Sequence, residues 1–278
     1  MSTTTTPADT AGTAGTAGTG DTAARRGWDA WRARRTEVLS DPHGWLSLTA
    51  LHWLGGAPAR AGDLPGRWWS AADGVHVRAQ EVDGLLLDGA PLTGEHVLHP
   101  VDDGAGVTVV TGERHVEVLR RSGNAGLRVR DPRSPVLAGF SGVPVFGFDE
   151  RWVLPARLEA DEDEVVVGSV VAGLSQARTA AGRVTFTTPD GVERSLLALR
   201  SGEGLQLLFT DLTSGVSTSA TARSLTVAAP GPDGALVLDL NRAQNLPCAF
   251  TEHATCPLPP AGNRLEVAVE AGERAPRA

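Results

Sequence analysis

From about residue 56 onward, Gly, Asp or Pro interrupts the chain roughly every ten residues, and this rhythm limits what it can fold into. Between the breaks lie short runs such as Gly74–Arg78, Gly84–Leu87, Val107–Val110, His115–Leu119 and Leu127–Arg130. Glu164–Val167, Gly182–Thr187, Arg194–Leu199 and Leu205–Thr210 continue the pattern. Runs this short, rich in Val and Leu, cannot bury a helix face but do suit strands. The expected fold class is therefore mainly β, with antiparallel sheets in a sandwich or barrel-like arrangement. Asp83-Gly84, Asp88-Gly89 and Asp190-Gly191 are hairpin dipeptides, since both residue types tolerate positive φ. Leu225–Val227 and Leu236–Leu240 are expected to pair around Pro230–Gly234.

Ahead of the strands the pattern changes. Residues 1–23 are Thr/Ala/Gly-rich, too poor in apolar surface to offset chain entropy, and are expected to be a disordered tail. Ala24–Leu39 reads as a helix with Trp28, Trp31, Arg35 and Leu39 roughly on one face, ended by Ser40-Asp41-Pro42. Trp45–Leu54 is dense in apolar groups and reads as a short buried helix or a strand. Residues 24–274 are expected to form one domain. Pro135, Pro144 and Pro155 mark a meeting point if it divides into subdomains 24–135 and 145–274.

Composition excludes several chemistries. The 25 bases are all Arg, and with Lys and Tyr absent no lysine Schiff base and no tyrosine general acid can form. A net charge of -8 with dispersed arginines argues against nucleic acid and anionic membranes as partners. There is no long apolar run and no signal-peptide pattern, so the protein is expected in the cytoplasm with both cysteines reduced. Phosphate-binding loops, G-x-G-x-x-G, G-x-S-x-G and H-E-x-x-H are missing. No cofactor is expected, and the oligomeric state is left open.

Chemistry concentrates in Asp239–Phe250, continuing through Thr255–Pro260 to Asn263-Arg264-Leu265. A strand ends in Asp239, and a loop with two Asn, an Arg and two Cys follows. Such a loop is either a ligand site on a rigid scaffold or a structure that satisfies its own backbone. Cys248-x4-His253-x2-Cys256 lacks the close pairing and fourth ligand usual for zinc, so no metal is expected there. The candidate catalytic residues are Asp239 and Asp211 as acid or base and Cys248 as nucleophile. Asn241 and Asn245 would orient a substrate, and Arg130, Arg223 and Arg242 would bind its anionic group. Asp211 also reads as the cap of a Thr213-Ser214-Gly215 turn.

These features resemble the bacterial family known as domain of unknown function 1684 (DUF1684). The likeness runs from about residue 28 to 274. It rests on Gly44–Leu48, Leu51–Leu54, Val129-Arg130-Asp131 with Ser134-Pro135, Phe148-Asp149 with Trp152, Asp211–Gly215, and above all the Asp239–Asn263 block. Leu246 stands where the family pattern has Pro, Val153 where it often has Arg, and Ser219 and Ala222-Arg223 near its Tyr and Gly-Arg. The resemblance implies no established chemistry. Two functions fit the residues: an enzyme acting on a small polar or anionic metabolite near residues 239–263, or a non-catalytic β module that binds a ligand or protein and uses that block as scaffold.

Overall fold

A computed structural model describes residues 19–276. Most of the expected tail, residues 1–18, lies outside the described residues. Helix α1 spans Thr19–Leu39, so it begins before Ala24, within the segment expected to be tail. Trp28 and Leu39 are buried and Trp31 and Arg35 half-buried, as the expected face requires. The ambiguous Trp45–Leu54 run splits into a 3-10 turn, Trp45–Ser47, and a strand.

The strands follow in order: β1 Leu48–Trp53, β2 Arg67–Ala71, β3 Gly74–Ala79, β4 Leu85–Leu87, β5 Ala90–Pro91, β6 Gly94–Leu98, β7 Val107–Thr111, β8 Arg114–Arg121 and β9 Asn124–Arg130. After a one-turn helix, α2 Pro135–Ala138, come β10 Val153–Gly168, β11 Ser175–Thr187, β12 Glu193–Ser201, β13 Gly204–Asp211, β14 Arg223–Val227, β15 Ala235–Asp239, β16 Gln244–Asn245 and β17 Arg264–Leu265. The fold is mainly β with antiparallel sheets and an N-terminal helix, as the spacing predicts.

The first half builds a six-stranded sheet, β1-β9-β8-β7-β4-β5, and a three-stranded sheet, β2-β3-β6. Their facing side chains, including Trp68, Val75, Val77, Val109, Val116, Val118 and Leu127, form one core. The second half builds one sheet in the order β15-β10-β11-β12-β13-β14-β16, with β17 added parallel to β13. Its core contains Trp152, Val184, Phe186, Leu207, Phe209, Leu238 and Val269. Burying a side chain such as Phe209 stabilises the fold by about 1.5–3 kcal/mol. Leu205, Leu207 and Phe209 face this core, while Leu208 faces a smaller cluster with Leu246, Ala254 and Cys256. β13 is thus apolar on both faces, which explains its unbroken Leu-Leu-Phe run.

Two expectations fail. The strands β14 and β15 do not pair across Pro230–Gly234; β15 pairs with β10 and β14 with β13. The Pro-containing connection carries the chain to the opposite edge of the sheet instead of folding it into a hairpin. Asp83-Gly84 is not a hairpin turn either. Asp83 ends a 3-10 turn, Glu81–Asp83, and Gly84 caps it in the left-handed region. Asp88-Gly89 and Asp190-Gly191 do turn their hairpins. The long β10–β11 hairpin carries a bulge at Ala160–Asp163, and only glycine fits opposite it. A Cβ on Gly182 would sit 2.0 Å from the Glu159 carbonyl oxygen.

α1 packs on residues far along the chain. Trp28 Nε1 donates to the Asn241 carbonyl at 3.0 Å, and Phe148 lies against the Trp28 ring. Among the described residues no helix is long and apolar enough to cross a membrane.

Candidate functional site

The Asp239–Asn263 block is held by its own polar side chains. Asp239 Oδ1 accepts from the Asn241 amide at 3.2 Å and from Asn241 Nδ2 at 3.0 Å, capping the 3-10 turn Leu240–Arg242. Arg242 Nε lies 2.9 Å from Asp239 Oδ2, an ion-pair distance without hydrogen-bond alignment. Asn241 is fully buried. Its Oδ1 accepts from the Asp149 amide and its Nδ2 donates to the Asp149 carbonyl, both at 2.9 Å. Asn263 clamps β12 to β13 by accepting from Leu197 N and donating to Leu197 O and Leu208 O.

Asn245 belongs to a second cluster. Its amide donates to Glu273 Oε2 at 2.6 Å and its Nδ2 to the Arg274 carbonyl at 2.8 Å, while its buried Oδ1 has no partner among the described residues. Glu273 also accepts from Arg35 Nε at 2.8 Å, and Arg35 Nη2 donates to the Asn245 carbonyl at 2.9 Å. The chain reaches this point through Gly272 at φ +80°, where a Cβ would meet the Ala243 carbonyl oxygen at 2.4 Å.

Asp211 and Arg223 form a third cluster, with neither side chain exposed. Asp211 Oδ2 accepts from Arg223 Nη2 at 2.8 Å, and Oδ1 accepts from Thr213 N, Thr213 Oγ1 and Val269 N. Arg223 donates also to the Val269 and Ala271 carbonyls and lies over the Phe209 ring. Burial pushes the guanidinium below its usual pKa, and Asp211 opposes that shift. Asp211 caps its turn, and the pair ties β13 and β14 to the 269–271 segment.

Arg130 lies apart from these groups. It donates to the His43 and Gly44 carbonyls at 3.0 Å and to Glu117 Oε2 at 2.9 Å. It lines a small polar hollow of about 300 Å³ with Thr108 and the stacked rings of His43 and His115. Burial, followed by the His43 and Arg130 charges, lowers the His115 pKa. Neighbouring Arg128 is buried and reaches across to Thr255 Oγ1 at 3.0 Å, joining β9 to the Cys256 loop.

The loop Leu246–Cys256 folds back so that the Cys248 amide donates to Cys256 Sγ at 3.3 Å. Cys248 is half-buried and Cys256 buried. Among the described residues no group of three His, Cys, Asp or Glu side chains comes together to hold a metal.

A cleft of about 920 Å³ lies between α1, the α2–Val145 segment and the chain at Ala249-Phe250. Trp31, Phe140 and Phe250 contribute aromatic walls, with Leu46 and Val136 beside them. Arg35 and Glu273 form its charged floor, and exposed Arg32, stacked over Trp28, stands at its rim. None of the eight sequence candidates lines this cleft; Asp239, Asn241 and Arg242 form one group, Asn245 pairs with Arg223 across β16 and β14 so that its Glu273 contact adjoins the Asp211–Arg223 pair, Cys248 follows in the next turn, and Arg130 stands on β9. Sequence reasoning missed Arg35 as a cleft side chain and Glu273 and Phe140 altogether, and it included Phe250 only as the end of the Asp239–Phe250 block. Only the placement of Arg35 on the buried helix face hinted at a role, because its partner lies 238 residues away.

Residues 138–274 match the model of a family described as protein of unknown function (DUF1684). Among solved structures, the chain is similar to an uncharacterized protein of Haloarcula marismortui determined by solution NMR. The two are 28% identical with a TM-score of 0.41, over 49% of this chain and 78% of that one. No curated protein matches.

Proposed function

We propose that this chain, whose residues 138–274 match the DUF1684 family of proteins of unknown function, is a ligand-binding module whose site is the cleft beside α1. The observation that carries this is a division of labour. The Asn241 and Asn263 side chains of the Asp239–Asn263 block are bonded to backbone, while Phe250 of the same block joins Trp31 and Phe140 in lining the cleft. Its volume falls within the usual range for small-molecule sites, about 300–1,000 Å³.

Two guanidinium groups, Arg32 and Arg35, stand against one carboxylate, Glu273. The ligand class that fits is a small amphipathic anion, with an aryl or alkyl body between Trp31, Phe140 and Phe250 and a carboxylate or phosphate towards Arg32. In this reading Asp211, Arg223, Asn241 and Asn245 are scaffold. The acidic net charge argues against nucleic acid and anionic membranes as partners.

The test is a thermal-shift screen of aryl and alkyl carboxylates and phosphates on wild type, Phe250→Ala and Arg32→Gln. A hit should lose its shift in Phe250→Ala and weaken about tenfold in Arg32→Gln, a charge-assisted contact's worth. Hits that bind both variants like wild type would remove the cleft as the site.

A further inference from the structure

The two cysteines differ in a way that their shared loop does not require. Cys248 sits in the 3-10 turn Pro247–Ala249 and is half-buried. Cys256 is 6% exposed and packs with Leu199, Leu208, Ala222, Leu246 and Ala254. The loop returns Cys256 so closely that its sulfur accepts the Cys248 amide at 3.3 Å. Disulfides need Cα atoms about 4.4–6.8 Å apart. A Cys256 sulfur 3.3 Å from the Cys248 amide nitrogen, one bond from the Cys248 Cα, brings the two residues to about this separation.

The same contact polarises the pair. Donation from Cys256, aided by the Thr221 hydroxyl, holds the Cys248 thiol below the usual thiol range. Donating that proton, together with burial, pushes Cys256 well above it. The more accessible sulfur is therefore the more acidic of the two, and the enclosed one holds its proton more tightly. Inert core cysteines have no reason to be paired in this way.

We propose that Cys248 and Cys256 form a redox-active dithiol that a hydroperoxide converts into an intramolecular disulfide. The Cys248 thiolate attacks the terminal peroxide oxygen. The S–O bond forms as the O–O bond breaks, and the leaving alkoxide or hydroxide takes a proton to become alcohol or water. Cys248 is then a sulfenic acid. The Cys256 sulfur gives up its proton and attacks the Cys248 sulfur, forming the S–S bond and expelling hydroxide, which leaves as water. Two electrons pass from the thiols to the peroxide. The disulfide would tie down the loop carrying Ala249 and Phe250, which line the cleft. Only this last effect rests on the cleft as ligand site; the thiol chemistry does not.

The experiment treats the full chain with hydrogen peroxide and follows intact mass, free thiols in denaturant, and peptide maps without reductant. Wild type should lose two hydrogens, its titratable thiols should fall from two to none, and the map should link Cys248 to Cys256 within one chain. Cys256→Ser should accumulate a dimedone-reactive sulfenic acid at Cys248, while Cys248→Ser should give no adduct. The proposal is overturned if both wild-type thiols still alkylate after oxidation, if the link forms only between chains, or if dimedone marks both variants equally. Should a serine variant fail to fold, the wild-type mass and thiol count decide alone. A ligand from the cleft screen that binds oxidised and reduced protein alike would remove the link to the cleft and leave the disulfide standing.

Discussion

Arg35 on α1 donates to Glu273 at 2.8 Å, so a side chain near one end of the fold is neutralised by one 238 residues later. Glu273 is 1% exposed and also accepts the Asn245 amide at 2.6 Å. Glu273→Ala would leave a largely buried guanidinium and a buried amide unpaired. A loss of about 3–5 kcal/mol is expected in urea unfolding, as for other broken buried pairs. A change below about 1 kcal/mol, the level of an exposed pair, would show that α1 does not depend on this contact.

Asp211 and Arg223 should behave as a unit. Either Asp211→Ala or Arg223→Ala alone leaves an uncompensated buried charge and is expected to cost about 3–5 kcal/mol. The double variant should cost clearly less than the sum of the two. Strict additivity in the double-mutant cycle would mean that each residue acts through its backbone partners alone.

Gly272→Ala tests the close approach of two backbones. The residue is at φ +80°, and the added carbon would meet Ala243 O at 2.4 Å and Leu240 O at 2.9 Å. Strain of this kind costs about 1–3 kcal/mol. Gly89→Ala, at the same φ but with open space around it, should cost less, since it pays the backbone penalty without the clash. Equal melting temperatures for the two variants would refute the clash.

The stability of the β2-β3-β6 sheet should depend on pH through His76. The ring contacts Asp73 at 2.8 Å and lies 3.4 Å from Glu95, with Arg78 bonded to the far side of Glu95 and His99 near Asp73. The bond to Asp73 raises the His76 pKa above its ordinary 6.5. Its contribution is therefore complete below about 6.5 and lost as pH rises through the higher folded value. Asp73 and Glu95 are lowered, Asp73 by His76 and Glu95 by Arg78, so their contributions are lost as pH falls below the carboxylate range. The sheet should be most stable between these limits. Trp69 stacks on His76 with centroids 4.9 Å apart, so its fluorescence should follow the upper transition and His76→Gln should abolish it. A transition that survives the substitution assigns the effect elsewhere.

Local signals carried the fold further than they carried the site. The Val- and Leu-rich runs of β3, β7, β8 and β13 alternate or fill in step with their burial, so strand positions could be read directly. Partner choice could not. Val227 and Leu236 flank a turn-rich segment, yet β15 pairs with β10 and β14 with β13. At the site, Asp, Asn and Arg were conspicuous for their chemistry, but the same groups satisfy buried backbone, and sequence does not distinguish the two uses. Asn241 bonded to Asp149 and Asn263 bonded to Leu197 are cases of the second. The cleft draws on Trp31, Phe140 and Phe250, which sit in three distant segments with no common spacing.

The docking of α1 on the 241–273 region also sets an order of events in synthesis. Arg35 leaves the ribosome 238 residues before Glu273. At about 5–20 residues per second, that is a wait of roughly 12–48 s. Throughout that interval Arg35 lacks its carboxylate, while the β1–β9 half already has a core of its own. The closure of the helix onto Asn241 and Glu273 is thus a late step, which cannot precede the synthesis of either residue.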